Sequence, residues 1–209
     1  MTDTFETNLR RLARTAGRLA TFDFAPLAYA VWLRYHRLEF AAGNYVRPEE
    51  GKAHAHSGGP QLSRVIQGLQ LTEESVALDL GAGMGIAALT LCRHFSQVIG
   101  VELSPELVAI AKRNVARMRV TNIELHCSDA REFSSGLDRV THVYMFNPFP
   151  VPVMNAVLEN LNRSLQRTPR SLTIIYRFPV CHDAVVAAGF VHRRDFHFRR
   201  SHPFSIYEA

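Results

Sequence analysis

The chain has 209 residues, 47% hydrophobic and 21% charged, which suffices for one sizeable core and is typical of a soluble globular protein. Its three cysteines, Cys92, Cys127 and Cys181, are too widely separated to indicate a disulfide framework or a close-pair metal site. They favour a reducing compartment, and we expect a cytoplasmic protein. The net charge of +5 comes mainly from arginine and leaves an acidic substrate or nucleic acid open without deciding between them.

The sequence disfavours both secretion and membrane insertion. Arginines at positions 10, 11, 14 and 18 interrupt the first helix-like segment, which therefore does not resemble a secretory signal. The longest uncharged run, residues 141–158, contains three prolines and two asparagines, which argue against a membrane-spanning helix. We expect no membrane partner.

Residues 1–60 are predicted to form an N-terminal helical cap followed by a lid loop. Apolar residues recur at three- and four-residue steps between Phe5 and Leu19, and a second helical pattern covers residues 26–40. Residues 41–60 are rich in glycine, proline and polar residues, which is typical of a binding loop or a plain linker. Two histidines in this loop, His54 and His56, are too few to predict a metal site.

Residues 61–209 are predicted to form the main domain, because apolar strand candidates alternate with amphipathic helices. Two directly joined strands close the chain, over residues 189–200 and 202–209. The fold class is therefore α/β: a doubly wound, mostly parallel seven-stranded sheet with a C-terminal antiparallel hairpin. The helix over 104–118 is predicted to begin at an N-capping Ser104 followed by Pro105.

The segment "LDLGAGMG", residues 78–85, is the strongest site signal. It ends a predicted strand and opens a helix, and its glycines allow a sharp turn with close approach of a ligand. The dinucleotide fingerprint requires a third glycine at position 86, where this chain has Ile86, so a nicotinamide-dependent dehydrogenase is disfavoured. Asp79 precedes the glycines, and its carboxylate favours a ligand that carries a positive charge.

Acidic residues also follow the next two predicted strands. Glu102 can accept hydrogen bonds from two ribose hydroxyls. Asp129 can accept from an exocyclic amine, while the backbone N–H of Ala130 can donate to a ring nitrogen. Each acid alone is explained equally well by a cap or a helix-entry charge. The glycine-rich loop, Glu102 and Asp129 at successive strand ends form a joint pattern that predicts binding of a nucleoside-containing cofactor.

These motifs, "LDLGAGMG", "GVELSPELVAIAKRN", "CSDA" and "NPF", resemble those of class I S-adenosylmethionine-dependent methyltransferases, over about residues 71–190. The resemblance implies S-adenosyl-L-methionine as cofactor. It places the methionine part at Gly81 and Gly83, the ribose at Glu102 and the adenine at Asp129. The implied cofactor-binding set is Asp79, Gly81, Ala82, Gly83, Gly85, Glu102, Leu103, Asp129, Ala130 and Asn147, with Tyr45 of the lid loop as a possible cover.

Asn147, Pro148 and Phe149 are the candidate catalytic residues, because they follow the fourth predicted strand next to the expected methyl group. The asparagine oxygen and the proline carbonyl can accept from an amine, and the aromatic ring can stack on a flat acceptor. Amino-methylating members of the resembled family carry Asn/Asp-Pro-Pro-aromatic here, whereas this chain has Asn-Pro-Phe-Pro. The alternative is a rigid turn in which Phe149 only packs.

Three functions remain open from the sequence. No segment resembles a module that reads RNA or DNA, so we expect methyl transfer to a small molecule or a protein side chain. The first alternative is an RNA methyltransferase that uses the basic, aromatic C-terminal hairpin, residues 192–202. The second is a non-catalytic partner subunit that only holds the cofactor.

Overall fold

The fold is organised around one seven-stranded mixed sheet, seen in a computed structural model that describes residues 33–39, 58–199 and 201–209. The strand order is β3-β2-β1-β4-β5-β7-β6, and the predicted α/β class is confirmed. The strands are β1 (Val76–Leu80), β2 (Gln97–Glu102), β3 (Ile123–Cys127), β4 (His142–Phe146), β5 (Thr173–Arg177), β6 (Val191–Phe196) and β7 (Phe204–Glu208).

Five helices accompany the strands in the described residues 58–199, together with one turn of 3₁₀ helix, Leu137–Arg139. The helices are α1 (Pro60–Gln67), α2 (Ile86–Leu91), α3 (Pro105–Met118), α4 (Val151–Arg167) and α5 (His182–Ala187). Ser104 caps α3 by accepting a hydrogen bond from the N–H of Leu107 at 3.3 Å, as the sequence predicts. The sequence pattern does not predict α1 or α5 separately, because both are short.

The helices cover both faces of the sheet, as in a doubly wound fold. Along β1, side chains alternate, so Val76, Leu78 and Leu80 face a core shared with α4 and α5. Ala77 lies on the opposite face, in a core formed with α1 and α2. A third cluster joins α2 and α3 to Leu33 and Leu38. Because β1 is covered on both faces, all five of its residues are buried.

The C-terminal hairpin is confirmed, and its second strand is the inner one. β7 pairs antiparallel with β5 on one side and with β6 on the other, so β6 forms the edge of the sheet. The predicted first strand of the hairpin is too long, because β6 ends at Phe196. Phe198 lies beyond it and packs edge-on against Phe204, with ring centroids 5.8 Å apart.

Most of the predicted N-terminal region lies outside the described residues. Only 33–39 and 58–60 of the predicted cap and lid are described, and residues 33–35 are helical. The proposed division between residues 60 and 61 falls at the first residue of α1. Among the helices that are described, none combines the length and apolar character needed to cross a bilayer.

Candidate active site

The candidate site lies where the strand order reverses, between the parallel neighbours β1 and β4. Carboxyl ends of parallel strands meet at one edge, and ligands of open α/β sheets bind in the crevice beyond such a reversal. The glycine segment leaves β1 there, and Asn147 leaves β4. Glu102 ends β2, and Asp129 follows β3 by two residues. The fold therefore brings the sequence-predicted residues of the four strands to one edge of the sheet.

The glycine loop turns sharply through left-handed backbone. Gly81, Gly83 and Gly85 have φ angles of 75°, 53° and 78°. The N–H groups of Gly81 and Ala82 both donate to the carbonyl of Val101, at 2.9 and 3.0 Å, which ties the loop to β2. A Cβ atom on Gly81 would lie only 2.8 Å from the Cβ of Pro148. The glycine loop and the β4 exit therefore form one tightly packed wall.

Glu102 holds the glycine loop and the start of α3 together. Its side chain is buried, and its two carboxylate oxygens accept from the backbone N–H groups of Gly83 and Ser104, at 2.9 and 3.0 Å. A carboxylate has about four acceptor positions, so a ribose hydroxyl can still donate to Glu102. The neighbouring Leu103 is 56% exposed, which is compatible with a surface that covers a ligand.

Asp79 is a buried carboxylate next to a second one. Its residue is 2% exposed, and Oδ2 has no hydrogen-bond partner among the described residues. Burial raises the pKa of Asp79 to about 7, and the charge of Glu102 contributes to that rise. An unpartnered acid of this kind is stabilised in its ionised form by a nearby cation, so the site fits a positively charged ligand.

Asp129 is engaged by its own loop. Its carboxylate accepts from the backbone N–H of Arg131 at 2.8 Å and from the Arg131 guanidinium, whose Nη2 lies 2.6 Å from Oδ2. An adenine amine would therefore share this carboxylate with Arg131 or displace the guanidinium. Ala130 is partly buried and packs against the core of α4 and α5.

The three candidate catalytic residues have different environments. Asn147 has a left-handed φ of 38°, and its side-chain oxygen is buried without a hydrogen-bond partner among the described residues. Pro148 contacts the glycine loop. Phe149 is 5% exposed and packs in the core of α4 and α5, which favours its packing role over stacking on an acceptor. Tyr45 lies outside the described residues.

Asn114, in the middle of α3, is a site-supporting residue that the sequence reasoning missed. It is fully buried, and its side-chain amide donates to the carbonyls of Met84, in the glycine loop, and Glu39, at 2.9 and 2.8 Å. Its Oδ1 accepts from the N–H of Glu39 at 2.9 Å. The available signal was an asparagine beside the apolar stripe of α3, between Ala111 and Val115.

A second overlooked group surrounds the carboxyl end of β5. The Arg177 guanidinium lies over the rings of Phe146 and Phe204, at 4.6 and 5.2 Å from the centroids. Phe178 stacks on His202, with centroids 4.1 Å apart and an interplanar angle of 28°. No local pattern predicts this group, since its members come from three separate strand ends.

Comparisons with known proteins agree with this geometry. Residues 77–168 match a family model described as a methyltransferase domain. A solved S-adenosylmethionine-dependent methyltransferase from Aquifex aeolicus superposes with a TM-score of 0.59 at 18% identity, covering 69% of this chain and 87% of that one. The tRNA (uracil-54, C5)-methyltransferase of Pyrococcus abyssi, solved with S-adenosyl-L-homocysteine, superposes with a TM-score of 0.54 at 19% identity, covering 71% and 37%.

Curated relatives match over shorter stretches. The chain is 30% identical over 96 residues to the 23S rRNA (uracil(1939)-C(5))-methyltransferase RlmD of Shewanella amazonensis, which is 46% of this chain and 20% of that protein. It is 41% identical over 63 residues to the human tRNA (uracil-5-)-methyltransferase homolog A, or 30% and 10%. The chain thus spans a fifth or less of the length of these two relatives.

The sheet order and the glycine loop define an α/β domain whose ligand site lies beyond the ends of the parallel strands. Residues 77–168 match a methyltransferase domain, and the superposed structures show the Rossmann-like fold of class I S-adenosylmethionine-dependent methyltransferases. The chain's own residues fit this cofactor, which carries an ammonium and a sulfonium cation, because Asp79 is a buried carboxylate with one oxygen that no described residue hydrogen-bonds.

Proposed function

We propose that this protein transfers a methyl group from S-adenosylmethionine to a base of RNA, bound beside Asn147 at the carboxyl ends of β4 and β5. The observation that carries the proposal is the Oδ1 atom of Asn147, which is buried without a hydrogen-bond partner in the described part of the chain, where the strand order reverses. The neighbouring Pro148 packs against the glycine loop. RNA is favoured over a protein or small-molecule acceptor because the curated relatives are named as methyltransferases of uracil in rRNA and tRNA.

Asn147 orients the acceptor in this proposal. A buried amide oxygen without a partner is costly, so an N–H group on the acceptor that donates to it would be bound in a defined direction. Nucleobases offer such ring N–H or amino groups in the plane of a rigid ring. The left-handed backbone at Asn147 suits this residue type, because asparagine adopts that conformation more readily than other non-glycine residues.

Glu102 and Asp79 act on the cofactor side. Glu102 keeps the glycine loop closed against α3 and offers acceptor positions to the ribose. The Asp79 carboxylate, once ionised, stabilises positive charge in the pocket. A rigid pocket that holds the cofactor and the acceptor in line increases the rate of methyl transfer, because the two molecules have already lost translational and rotational freedom.

S-adenosylmethionine supplies an electrophilic methyl group on a sulfonium. In the overall reaction, an electron pair of the base forms a bond to the methyl carbon, and the pair of the broken carbon–sulfur bond returns to sulfur. The products are the methylated base and S-adenosylhomocysteine. The base loses one proton, which passes to water, so the charge of the sulfonium is conserved.

Labelled-methyl transfer tests the acceptor class. The protein is incubated with tritiated-methyl S-adenosylmethionine and with RNA, protein and small-molecule fractions of a cell extract. We expect label in RNA that nuclease digestion recovers as a methylated nucleoside. Label only in protein or in small molecules contradicts the proposal, as does the absence of label from every fraction, which is the outcome that a non-catalytic cofactor-binding subunit predicts.

The role of Asn147 has its own test. Asn147→Gly keeps the left-handed backbone but removes the amide, and it should lower kcat about 100-fold while the Kd for S-adenosylhomocysteine stays within about twofold. Asn155→Ala, on the exposed side of α4, is the matched control and should leave both values unchanged. Wild-type turnover in Asn147→Gly would leave Asn147 as a wall of the pocket only.

A further inference from the structure

The exit of β5 presents an exposed aromatic pair beside the proposed acceptor position. Phe178 and His202 stack almost in parallel, 4.1 Å between centroids and 28° between planes. Phe178 remains 38% exposed, and His202 is exposed. Large apolar rings normally gain stability by burial, so this exposed pair is not explained by core packing.

The backbone at Phe178 has a strained conformation, and burial of the side chain does not compensate for that strain because the ring is exposed. Its φ is 54°, a left-handed conformation that is a genuine outlier for a bulky side chain. The conformation is held by hydrogen bonds from the Phe178 N–H to the Pro203 carbonyl and from the Val180 N–H to the Phe178 carbonyl, both 2.9 Å. Glycine would make the same turn without strain, so the ring itself is the feature to be explained.

The register of the sheet makes Asn147 and Phe178 the first residues after two paired strands. Phe146 of β4 pairs with Arg177 of β5, so the next residues along the two chains, Asn147 and Phe178, leave the sheet side by side. The Phe146 ring is also 5.9 Å from the His202 ring. Asn147 and Phe178 both have left-handed backbone, so the chain turns at the same point after each of the two strands.

Contacts of Arg177 position the segment that carries His202. Its guanidinium lies over the Phe146 and Phe204 rings and donates to the Ser201 hydroxyl at 3.0 Å. Ser201 in turn donates to the side-chain oxygen of Gln61 at 2.8 Å. These contacts fix the segment that carries His202 to the ends of β4 and β5, so the stacked rings form a rigid surface.

We propose that Phe178, backed by His202, is the stacking surface on which the planar ring of the methyl acceptor lies. This inference rests on the proposed function and assigns the acceptor-binding face to the β5 exit instead of Phe149. An aromatic face binds the flat side of a nucleobase without reading its edges, and the ring N–H groups remain free to reach Asn147. A flat base continues the stack that the two side chains begin.

Oligonucleotide binding with and without the aromatic ring tests the surface. The probe is fluorescently labelled single-stranded dodecauridylate, measured by anisotropy in the presence of S-adenosylhomocysteine. Phe178→Leu keeps an apolar side chain but removes the aromatic face, and it should raise the oligonucleotide Kd by about 5- to 100-fold. Phe178→Trp should bind like the wild type, and His202→Ala should weaken binding in the same direction as Phe178→Leu.

Two controls separate stacking from a general effect. Val180→Ala alters an exposed apolar side chain on the same turn and should leave the Kd unchanged. The Kd for S-adenosylhomocysteine should be the same in all variants. If Phe178→Leu binds the oligonucleotide like the wild type while the wild type labels RNA, the stacking surface is wrong and the proposed function stands.

Two other outcomes would overturn the proposed function or the assignment of Phe178 to the acceptor. If the wild type binds no oligonucleotide and labels no RNA, the proposed function fails and this inference fails with it. If light scattering shows a wild-type dimer that Phe178→Leu converts to a monomer, the rings form an interface between copies, which overturns the assignment to the acceptor.

Discussion

Gly81 lies against Pro148 so closely that a Cβ atom on the glycine would approach the Cβ of the proline to 2.8 Å. This contact joins the cofactor loop after β1 to the acceptor segment after β4. Gly81 also has a φ of 75°, which disfavours any other residue. A change at either residue is therefore transmitted directly to the other half of the site.

Gly81→Ala should damage the site beyond its effect on stability. The added methyl must push Pro148 and Asn147 away, and we expect the Kd for S-adenosylhomocysteine to rise about 10-fold or more, with a larger loss of kcat. Isothermal titration calorimetry and a methyl-transfer assay measure the two effects. Gly189→Ala is the control: its φ is 95°, but an added Cβ would have no atom of the described residues within 4 Å, so it should lose stability only. Equal Kd values for both variants would contradict the steric coupling.

Glu102→Gln should open the glycine loop. The amide group of glutamine places a donor where the carboxylate accepts from the Gly83 or Ser104 N–H, so one of these bonds is lost. We expect the Kd for S-adenosylhomocysteine to increase about 10-fold. Glu106→Gln changes a neighbouring acid that bonds the Ser104 hydroxyl at 2.7 Å and should leave the Kd near the wild-type value.

Cofactor affinity should depend on the protonation of Asp79. Because burial raises the pKa of this carboxyl to about 7, the ligand-free protein holds the proton at pH 6, and the ammonium group of bound S-adenosylhomocysteine favours its release. The Kd for S-adenosylhomocysteine should therefore fall as pH rises through about 7. Titrations at pH 6 in buffers of different ionisation enthalpy should detect proton release. Asp79→Asn should bind more weakly and lose both effects; retention of either by the variant contradicts the assignment.

The Asp79 carboxyl should lower the free energy of unfolding as the pH rises. Its pKa is higher in the folded chain than the ordinary 3.8, so the folded state retains a proton that the unfolded state has lost. Stability therefore falls as pH rises from about 4 to about 7 and stays low above that. Asp79→Asn should be roughly 2–4 kcal/mol more stable than the wild type at pH 8 by urea denaturation. The difference should disappear near pH 4.

His142 should make the free energy of unfolding change with pH in the opposite direction. This histidine of β4 is buried, and burial lowers its pKa from 6.5 to about 4, so the unfolded chain takes up a proton that the folded chain does not. Its contribution to stability is present above pH 6.5 and lost as pH falls from 6.5 to 4. His142→Gln should reduce the acid-dependent loss by about 3 kcal/mol, while His197→Gln, outside the sheet, serves as the control. Identical pH profiles for wild type and His142→Gln would refute this.

Asn114→Ala should release residues 33–39 from the glycine loop. It removes three hydrogen bonds at a fully buried position and leaves the Met84 carbonyl without its donor, at a cost of about 2–4 kcal/mol. Arg117→Ala removes exposed contacts to Arg37 and Glu39 and should cost about 1 kcal/mol or less. Urea unfolding compares the two, and equal losses would mean that the amide does not anchor the segment.

Local patterns were enough to predict the sheet and the cofactor motifs. β1 and β4 are apolar runs ended by glycine or asparagine-proline, so their type and direction follow from the sequence. Ser104 and Pro105 mark the start of α3 for the same local reason. Short elements such as α5 carry too few periods to be recognised, and the length of β6 was overestimated because alternation continues past Phe196.

The parts of the site that depend on distant contacts required the fold. Phe149 has an aromatic ring of the kind that stacks on flat ligands, but packing against α4 buries it. Asn114 looks like an ordinary helical asparagine until Met84 and Glu39 are placed beside it. The Phe178–His202 pair joins a residue that follows β5 to one that precedes β7, and the left-handed backbone at Phe178 is visible only in three dimensions.

The amino-acid sequence alone was thus sufficient for the fold class, and its resemblance to a known family was sufficient for the cofactor. The fold class follows from the periodicity of apolar residues and the turn residues at strand ends, which are local properties of the chain. The tertiary structure alone decided which aromatic rings are buried, which remain exposed beside the strand ends, and which carboxylate is buried without a partner among the described residues. These depend on the side chains that neighbouring strands and helices bring together, and burial by those neighbours changes the chemistry of a residue whose sequence context stays the same.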